Sequence, residues 1–109
     1  MAYDENLALR VRATIGGFLG LKEKKMFGGI GYLLNGNMAC GVLNEYLIVR
    51  VGSEAYQQAL HQPHTKVFDT TGRPMTGWVM VAPEGYADDE SLNAWLQQGL
   101  NFAAVLPPK

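Results

Sequence analysis

Apolar residues near the N-terminus recur with the period of an α-helix. The stripe consists of Leu7, Val11, Ile15 and Phe18. This spacing places all four side chains on one side of a helix. Asp4 precedes the stripe as a suitable N-cap, and Gly16, Gly17 or Gly20 can end the helix. We therefore predict a first helix whose apolar stripe packs against the rest of the domain.

The period changes to that of a β-strand in the next part of the chain. Residues 24–42 hold three glycines in four positions, an apolar run, Asn35-Gly36 and a second apolar run. Asn-Gly between two such runs is a strong signal for a β-hairpin. Residues 46–51 form a β-branched run after a short break at Asn44 and Glu45. The pattern predicts three consecutive antiparallel strands.

The second half of the chain alternates between helical and strand-like segments. Residues 53–60 indicate a short helix, and Asp88 is a suitable N-cap for a final helix. Between them, residues 66–68 and 77–81 indicate strands joined by a turn at residues 69–74. The order α-β-β-β-α-β-β-α predicts an α+β fold, in which helices pack on an antiparallel sheet.

Two-residue turns at Asn35-Gly36 and Asn44-Glu45 would fix the register of the first three strands. One face of the sheet is then almost wholly apolar and forms the expected bed for the helices. This face carries Phe27, Gly29, Gly31, Leu33, Met38, Cys40, Val42, Leu47, Val49 and Val51. The opposite face carries Ile30, Tyr32, Leu34, Ala39, Gly41, Tyr46, Ile48 and Arg50. Glycines in the helix bed would let a helix approach the sheet closely.

The opposite face is less apolar but far from polar. An antiparallel sheet with one face in water normally alternates apolar and polar residues, and this one does not. A second apolar face calls for a cover, which is a partner copy, another protein, or a loop or terminus of the same chain. We favour a homodimer through this face.

Length and composition place the chain among globular proteins. Its 109 residues, 48% hydrophobic and 17% charged, suit one domain over residues 1–109. The net charge of -1 argues against a dedicated nucleic-acid binder. The N-terminus does not resemble a signal peptide, no apolar run could span a bilayer, and one cysteine fits a reducing compartment. We therefore expect a cytoplasmic protein that does not bind membranes.

No pattern of residues in the sequence indicates an active site, a metal site or a cofactor site. His61 and His64 are separated by a helix-breaking proline and lack further ligands at suitable spacing. Cys40 alternates with Met38 and Val42 on the expected core face, and a buried thiol acts as a small apolar group. The glycines of residues 28–31 do not have phosphate-loop spacing. We expect no enzyme, no metal and no cofactor.

Two arginines are candidate contact residues. Arg73 follows a turn and precedes Pro74, which holds it extended, so its guanidinium could bind a carboxylate or phosphate. The alternative is an intramolecular pair with Asp69 or a carbonyl group. Arg50 is expected beside Tyr32 on the second sheet face, where it could stack or pair across an interface. Trp78 is expected in the core with Val49.

Several separated motifs together resemble the TfoX N-terminal domain family. They are residues 25–31, 35–38, 47–52, 72–75 and 77–79, with Trp95, Gly99 and residues 106–109 near the C-terminus. The family motif positions fall on Lys25, Phe27, Gly28, Gly29, Arg50, Gly72, Arg73, Pro74 and Trp78. The resemblance covers nearly the whole chain in order. It implies a two-layer α+β fold of the secretion-chaperone-like kind and brings no catalytic residues.

The resemblance also suggests a function. The best-known members of the family are bacterial competence regulators, in which this domain precedes a helical C-terminal domain and acts in transcriptional coactivation. We therefore expect a non-enzymatic regulatory domain that binds a protein partner, for example a component of the transcription machinery. Tyr32, Arg50, Arg73 and Lys25 are the candidate contacts. One rival hypothesis is a small-molecule or anion-binding module, or a minor enzyme, that uses Arg50 and Arg73. A second, weaker rival is a DNA-binding domain that uses the following basic residues: Lys22, Lys24, Lys25, Arg10 and Arg12.

Overall fold

The computed structural model describes residues 3–26, 28–69 and 74–108. The helices within them are α1 (Glu5–Ile15), α2 (Tyr56–Leu60) and α3 (Asp89–Ala104), with a short 3-10 helix at Pro83–Gly85. The strands are β1 (Leu21–Met26), β2 (Gly29–Leu34), β3 (Asn37–Leu43), β4 (Tyr46–Arg50), β5 (Thr65–Val67) and β6 (Trp78–Val81). The α+β class and the predicted order of elements are confirmed. The structure adds β1, where three lysines interrupt the apolar pattern.

All six strands form one antiparallel sheet in the order β1-β2-β3-β4-β6-β5. The first four strands follow one another as a meander, with tight turns at Asn35-Gly36 and Asn44-Glu45. Asn35, Gly36 and Asn44 have positive φ angles of 52°, 85° and 53°, as the tight turns that match strand twist require. Both predicted turns are therefore confirmed. The edge strands are β1, with six residues, and β5, with three.

The long helices begin where their capping residues predict. The Asp4 carboxylate accepts hydrogen bonds from the backbone N–H groups of Asn6 and Leu7 at 2.9 and 3.1 Å. The Asp88 carboxylate accepts one from Ser91 at 2.9 Å. Each cap satisfies amide groups that have no partner inside the helix. Because α1 ends at Ile15, the predicted stripe residue Phe18 lies beyond the helix and is 42% exposed.

A β-bulge in β3 overturns part of the predicted register. Leu34 pairs with Asn37 as expected, but Tyr32 pairs with Cys40 rather than with Ala39. Ala39 is the extra residue of the bulge, and it shifts the rest of β2 by one position relative to β3. Because successive side chains of a strand point to opposite faces, this shift moves Tyr32 to the face that carries Cys40. The predicted assignment to the two faces was therefore wrong for β2 and for Met38, which lies on the opposite face from Cys40.

The helices pack on one face of the sheet, which we call the helix-covered face. Its buried strand residues include Ile30, Tyr32, Leu34, Cys40, Val42, Leu47, Val49, Val79 and Val81. They share one cluster with buried residues of α1, α2 and α3, among them Leu7, Val11, Ile15, Tyr56, Ala59, Leu92, Trp95, Leu96 and Leu100. The hydroxyl group of Tyr32 donates to the carbonyl of Ala8 in α1 at 3.2 Å. The domain therefore has two layers.

A glycine in α3, and not one in the sheet, sets the closest approach between the layers. A Cβ atom on Gly99 would collide with the backbone carbonyl oxygen of Ala39. The predicted role of Gly29 and Gly31 in a close helix approach was wrong, because the bulge places both on the opposite side of the sheet.

Candidate functional site

The sheet side that faces away from the helices is the candidate site, and we call it the open face. The strand positions that alternate with the core residues define it. They are Lys22, Lys24, Gly29, Gly31, Leu33, Met38, Gly41, Leu43, Tyr46, Ile48, Arg50, Lys66, Trp78 and Met80. This side is not the polar surface that an antiparallel sheet normally presents to water.

Large apolar side chains of the open face are only partly buried. Leu33, Met38, Leu43, Trp78 and Met80 all have intermediate exposure. Ile48 lies among them and is 2% exposed. Within the described chain, all three helices bury their apolar sides in the cluster on the other face of the sheet. The open face therefore keeps apolar area that a partner could bury.

One cross-strand row runs through the middle of the open face. Successive backbone partners along it are Lys24, Gly31, Gly41, Ile48, Met80 and Lys66. The two glycines have no side chains, so the row is lowest over β2 and β3. The terminal methyl group of Met38 lies over Gly41, 2.8 Å from where a Cβ atom would stand. The row is thus a mostly apolar strip, called the trough below, which Met38 partly fills above Gly41 and which has a lysine at each edge of the sheet.

Arg50 lies at one end of the open face, at the C-terminus of β4. Its guanidinium carbon is 5.2 Å from the ring centroid of Trp78, its backbone partner, and 5.3 Å from that of Phe102 in α3. It also donates a long hydrogen bond of 3.5 Å to the carbonyl of Met38. Phe68 packs on the same tryptophan, with ring centroids 6.1 Å apart. Aromatic rings hold the guanidinium through cation–π contacts and leave it half-buried.

A second cation–π contact lies at the β5 edge. The ammonium group of Lys66 is 4.4 Å from the ring centroid of Tyr46 and 3.1 Å from its hydroxyl group. Both contacts orient the lysine stem across the sheet, so its charge stays beside the apolar trough.

The sequence can now be placed among known families. The model of the TfoX N-terminal domain matches residues 13–103, well over half of the 109 residues. The chain belongs to the TfoX N-terminal domain family. The predicted resemblance is thereby confirmed. A search of curated proteins found no significant match to the chain.

The structure separates the candidate contact residues of this TfoX N-terminal domain. Arg50 lies on the open face, but Tyr32 is 1% exposed in the core beneath α1, so the predicted neighbourhood of the two was wrong. Lys25 pairs with Ile30 and points to the helix-covered side at the edge of the sheet. The predictions for Phe27, Gly72 and Arg73 lie outside the described residues.

The remaining motif residues of the TfoX N-terminal domain have backbone or surface positions. Gly28 has a φ angle of 77° next to β2, where a side chain would be strained. Gly29 is buried beside the carbonyl of Val42, and Pro74 is exposed. The prediction that Trp78 lies in the core was wrong, because it is half-buried on the open face. Alternation with the buried Val79 and Val81 was the sequence signal that could have placed it there.

Two shallow clefts are lined by residues outside the open face, although Phe102 of the second cleft also packs on Arg50. One, of about 280 Å³, is lined by polar groups that include His64, Glu84 and Gln98, with Trp95 beneath them. The other, of about 270 Å³, lies between Gly52 and Phe102. No group of three or more potential metal-ligating side chains occurs within residues 3–26, 28–69 and 74–108. Ser91 also lines the first cleft, beside His64 and Glu84, and within the described residues no hydrogen bond joins these three side chains, as a nucleophile and its base would need.

Buried ionisable groups belong to the core. Burial raises the pKa of the Cys40 thiol to about 12, so its thiolate is scarce at neutral pH. Burial likewise raises the pKa of Tyr32 above its ordinary range and that of Tyr86 to about 12. None of the helices in the described chain is both long and apolar enough to cross a membrane.

Proposed function

We propose that this TfoX N-terminal domain is a non-enzymatic, cytoplasmic protein-interaction domain with a regulatory role, and that the open face is its contact surface. The observation that carries the proposal is the set of partly exposed apolar side chains around Ile48, on the side of the sheet opposite the helices. Contiguous apolar surface on a small domain is typical of a protein interface. A shallow sheet surface also suits a protein partner better than a small molecule, which prefers a deep concave pocket.

The regulatory part of the proposal comes from the family. The chain belongs to the TfoX N-terminal domain family. We therefore take the role of this domain in the competence regulators of that family as the model for its role here. In this proposal the domain modulates regulation through the partner it binds and carries out no chemistry itself. The transcription machinery is one class of partner consistent with that role.

The experiment is affinity capture from a bacterial lysate with wild-type protein and Met80→Glu. Met80 lies in the central row of the open face, and a carboxylate there would oppose burial under a partner. We expect a stoichiometric partner in the wild-type sample that the variant loses. Leu9→Glu is the matched control, because Leu9 is 58% exposed on α1 and both residues form helices well. A partner retained by Met80→Glu and lost by Leu9→Glu would contradict the proposal.

Arg50 also favours a second candidate function, which is anion binding. The described residues show one hydrogen bond from its guanidinium, and that bond is long. A titration with phosphate and acetate, followed by amide NMR, tests this function separately from partner capture. Saturable shifts of the amides around residue 50 that are lost in Arg50→Lys would favour anion binding, since lysine keeps the charge but lacks the planar fork.

A further inference from the structure

Charge is distributed unevenly between the two sides of the domain. The chain as a whole holds ten acidic and nine basic residues. The charged strand residues on the open face are all cations: Lys22, Lys24, Arg50 and Lys66. Glu23 is the one acidic residue within the six strands, and it points to the helix-covered side. The strand residues of the open face therefore carry only positive charge, on a protein with a net charge of -1.

The cations of the open face have no carboxylate partner within the described part of the chain. The two ion pairs found there, Arg10–Asp89 at 3.2 Å and Arg12–Glu23 at 2.6 Å, both lie on the helix-covered side. Lys66 and Arg50 are instead oriented by aromatic rings. These positive charges are thus available to an acidic partner.

We infer that the open face binds an acidic amphipathic segment of another protein, with the apolar side of the segment in the trough and its carboxylates at the lysines of the two edges. The inference rests on the proposed function and names the chemistry of the partner. The row from Lys24 to Lys66 crosses five strand-to-strand steps, or about 24 Å at the usual strand spacing. About 16 residues of α-helix would span that distance.

A second copy of this chain fits the open face poorly. Two copies meeting face to face about a two-fold axis would place basic edges against basic edges, and like charges across an interface are unfavourable. The acidic residues that could complement them lie mainly around the helices, such as Asp88, Asp89 and Glu90 at the start of α3.

Nucleic acid also fits the open face less well than an acidic protein segment. Single-stranded nucleic acids bind open sheets by stacking their bases on aromatic rings. Here Arg50 and Phe68 already pack on Trp78, and Lys66 covers Tyr46. The remaining surface in the central row is aliphatic or glycine, which offers burial but no stacking platform.

The test uses amide NMR of the full chain with a synthetic helical peptide of about 18 residues. The peptide carries leucine at i, i+3, i+4 and i+7 spacing and glutamate at its other positions. We expect saturable shifts at open-face amides, such as those of Ile48 and Met80, and weaker binding at high salt. In Lys24→Glu/Lys66→Glu, we expect the affinity to fall by about tenfold, because two exposed attractions become repulsions.

A matched control and a charge exchange complete the design. Lys25→Glu alters the neighbouring lysine of β1, which points to the other side of the sheet, and should leave the affinity unchanged. A second peptide with lysine in place of every glutamate should bind the doubly substituted protein better than it binds wild type. The gain counts only when the variant keeps the dispersed amide spectrum of the folded domain and the shifts lie on the open face, so the test holds even if the double substitution lowers stability.

The contrary results separate the two proposals. Equal binding of both peptides by wild-type protein would overturn the acidic preference while leaving the interaction function standing. Absence of shifts at the open face with either peptide would overturn the inference, and the Met80→Glu capture would then decide the proposed function independently. Tighter binding of a single-stranded thymidine oligonucleotide at the open face would overturn both.

Discussion

Tyr32 carries a polar group into the core of the domain. Its side chain is 1% exposed, and its hydroxyl group donates to the carbonyl of Ala8 in α1. The same burial raises the pKa of the phenol. A buried hydrogen bond of this kind ties the first helix to the middle of the sheet, and its loss leaves an acceptor without that donor.

We predict that Tyr32→Phe lowers the free energy of unfolding by about 1 kcal/mol, the usual value of one such hydrogen bond. Urea unfolding followed by circular dichroism measures it. Tyr46→Phe is the control, because its hydroxyl group contacts the exposed Lys66, and its effect should stay below about 0.5 kcal/mol. Equal stability of Tyr32→Phe and wild type would show that the core bond contributes nothing.

At this scale the sequence was most informative where one residue decides local geometry. Asp4 and Asp88 cap their helices, and Asn35 and Asn44 take the left-handed turn conformation. The position of Tyr32 was not predictable in the same way. It depends on the unpaired Ala39 of the opposite strand, and an alanine carries no local signal for a bulge.

At the scale of elements, the contact between α3 and the sheet depends on Gly99. This residue is buried in the helix and faces the backbone of the bulge in β3. The bulge that changes the register therefore also provides the surface on which α3 rests.

We predict that Gly99→Ala destabilises the domain by about 2 kcal/mol, because the added methyl group meets backbone that cannot move cheaply. The better helix propensity of alanine offsets about 1 kcal/mol of the cost of the clash. The predicted value is therefore the net loss of stability after this offset. Gly17→Ala is the control, since a Cβ atom there has nothing within 4 Å. Thermal unfolding compares the two, and a Gly99→Ala variant as stable as Gly17→Ala would contradict the proposed contact.

A second prediction for elements concerns the ion pair between α1 and β1. Hydrogen bonds from Arg12 hold the pKa of the Glu23 carboxyl below its ordinary value of 4.5. The unfolded chain therefore takes up this proton at a higher pH than the folded chain does. The stabilisation is complete above about pH 4.5 and is lost as the pH falls through the lower pKa of the folded state.

Urea unfolding from about pH 3 to about pH 6 measures this dependence. We expect the stability of Glu23→Gln to fall less steeply with acid than that of wild type, while Glu54→Gln, in the exposed turn before α2, follows wild type. The pair lies near the surface, so the difference should shrink at high salt. Identical pH profiles for wild type and Glu23→Gln would contradict the role of the pair.

The elements themselves were largely predictable, with β1 as the exception. Helical spacing and capping residues located α1 and α3. The Asn-Gly turn between two apolar runs located β2 and β3, and further apolar runs located β4 and β6. The sequence of β1 is LKEKKM. Its four consecutive charged residues lack the apolar positions from which a strand is normally recognised. Such a sequence is common on a sheet edge, where lysines oppose pairing with another chain.

At the scale of the whole molecule, the candidate site arises from pairings that sequence cannot reveal. Arg50 meets Trp78 and Phe102, which are far away in the chain, only because β6 lies beside β4 and α3 ends near Gly52. The sequence did predict two apolar sheet faces and the exposure of Arg50 on one of them. It could not predict which residues share that face, since the bulge decides it.

The homodimer stays a prediction, and the charge of the open face makes it testable. If two copies associate through that face, raising the salt concentration should strengthen the dimer, because it screens repulsion between the basic edges. Sedimentation equilibrium at low and at high sodium chloride distinguishes the dimer from the 11.9 kDa monomer. A dimer that weakens with salt would place the interface elsewhere on the domain.

The strand order β4-β6-β5 also has a consequence for how the sheet opens. β5 has three residues and one neighbouring strand, and α2 packs mainly against β5 and β6 among the strands. These elements can detach together while the meander from β1 to β4 stays intact, because no strand of the meander depends on β5 for pairing. Native-state hydrogen exchange should therefore show β5 and α2 exchanging as one unit at a lower opening free energy than β3 and β4. If so, the β5 edge of the open face unfolds and refolds locally more readily than the β1 edge.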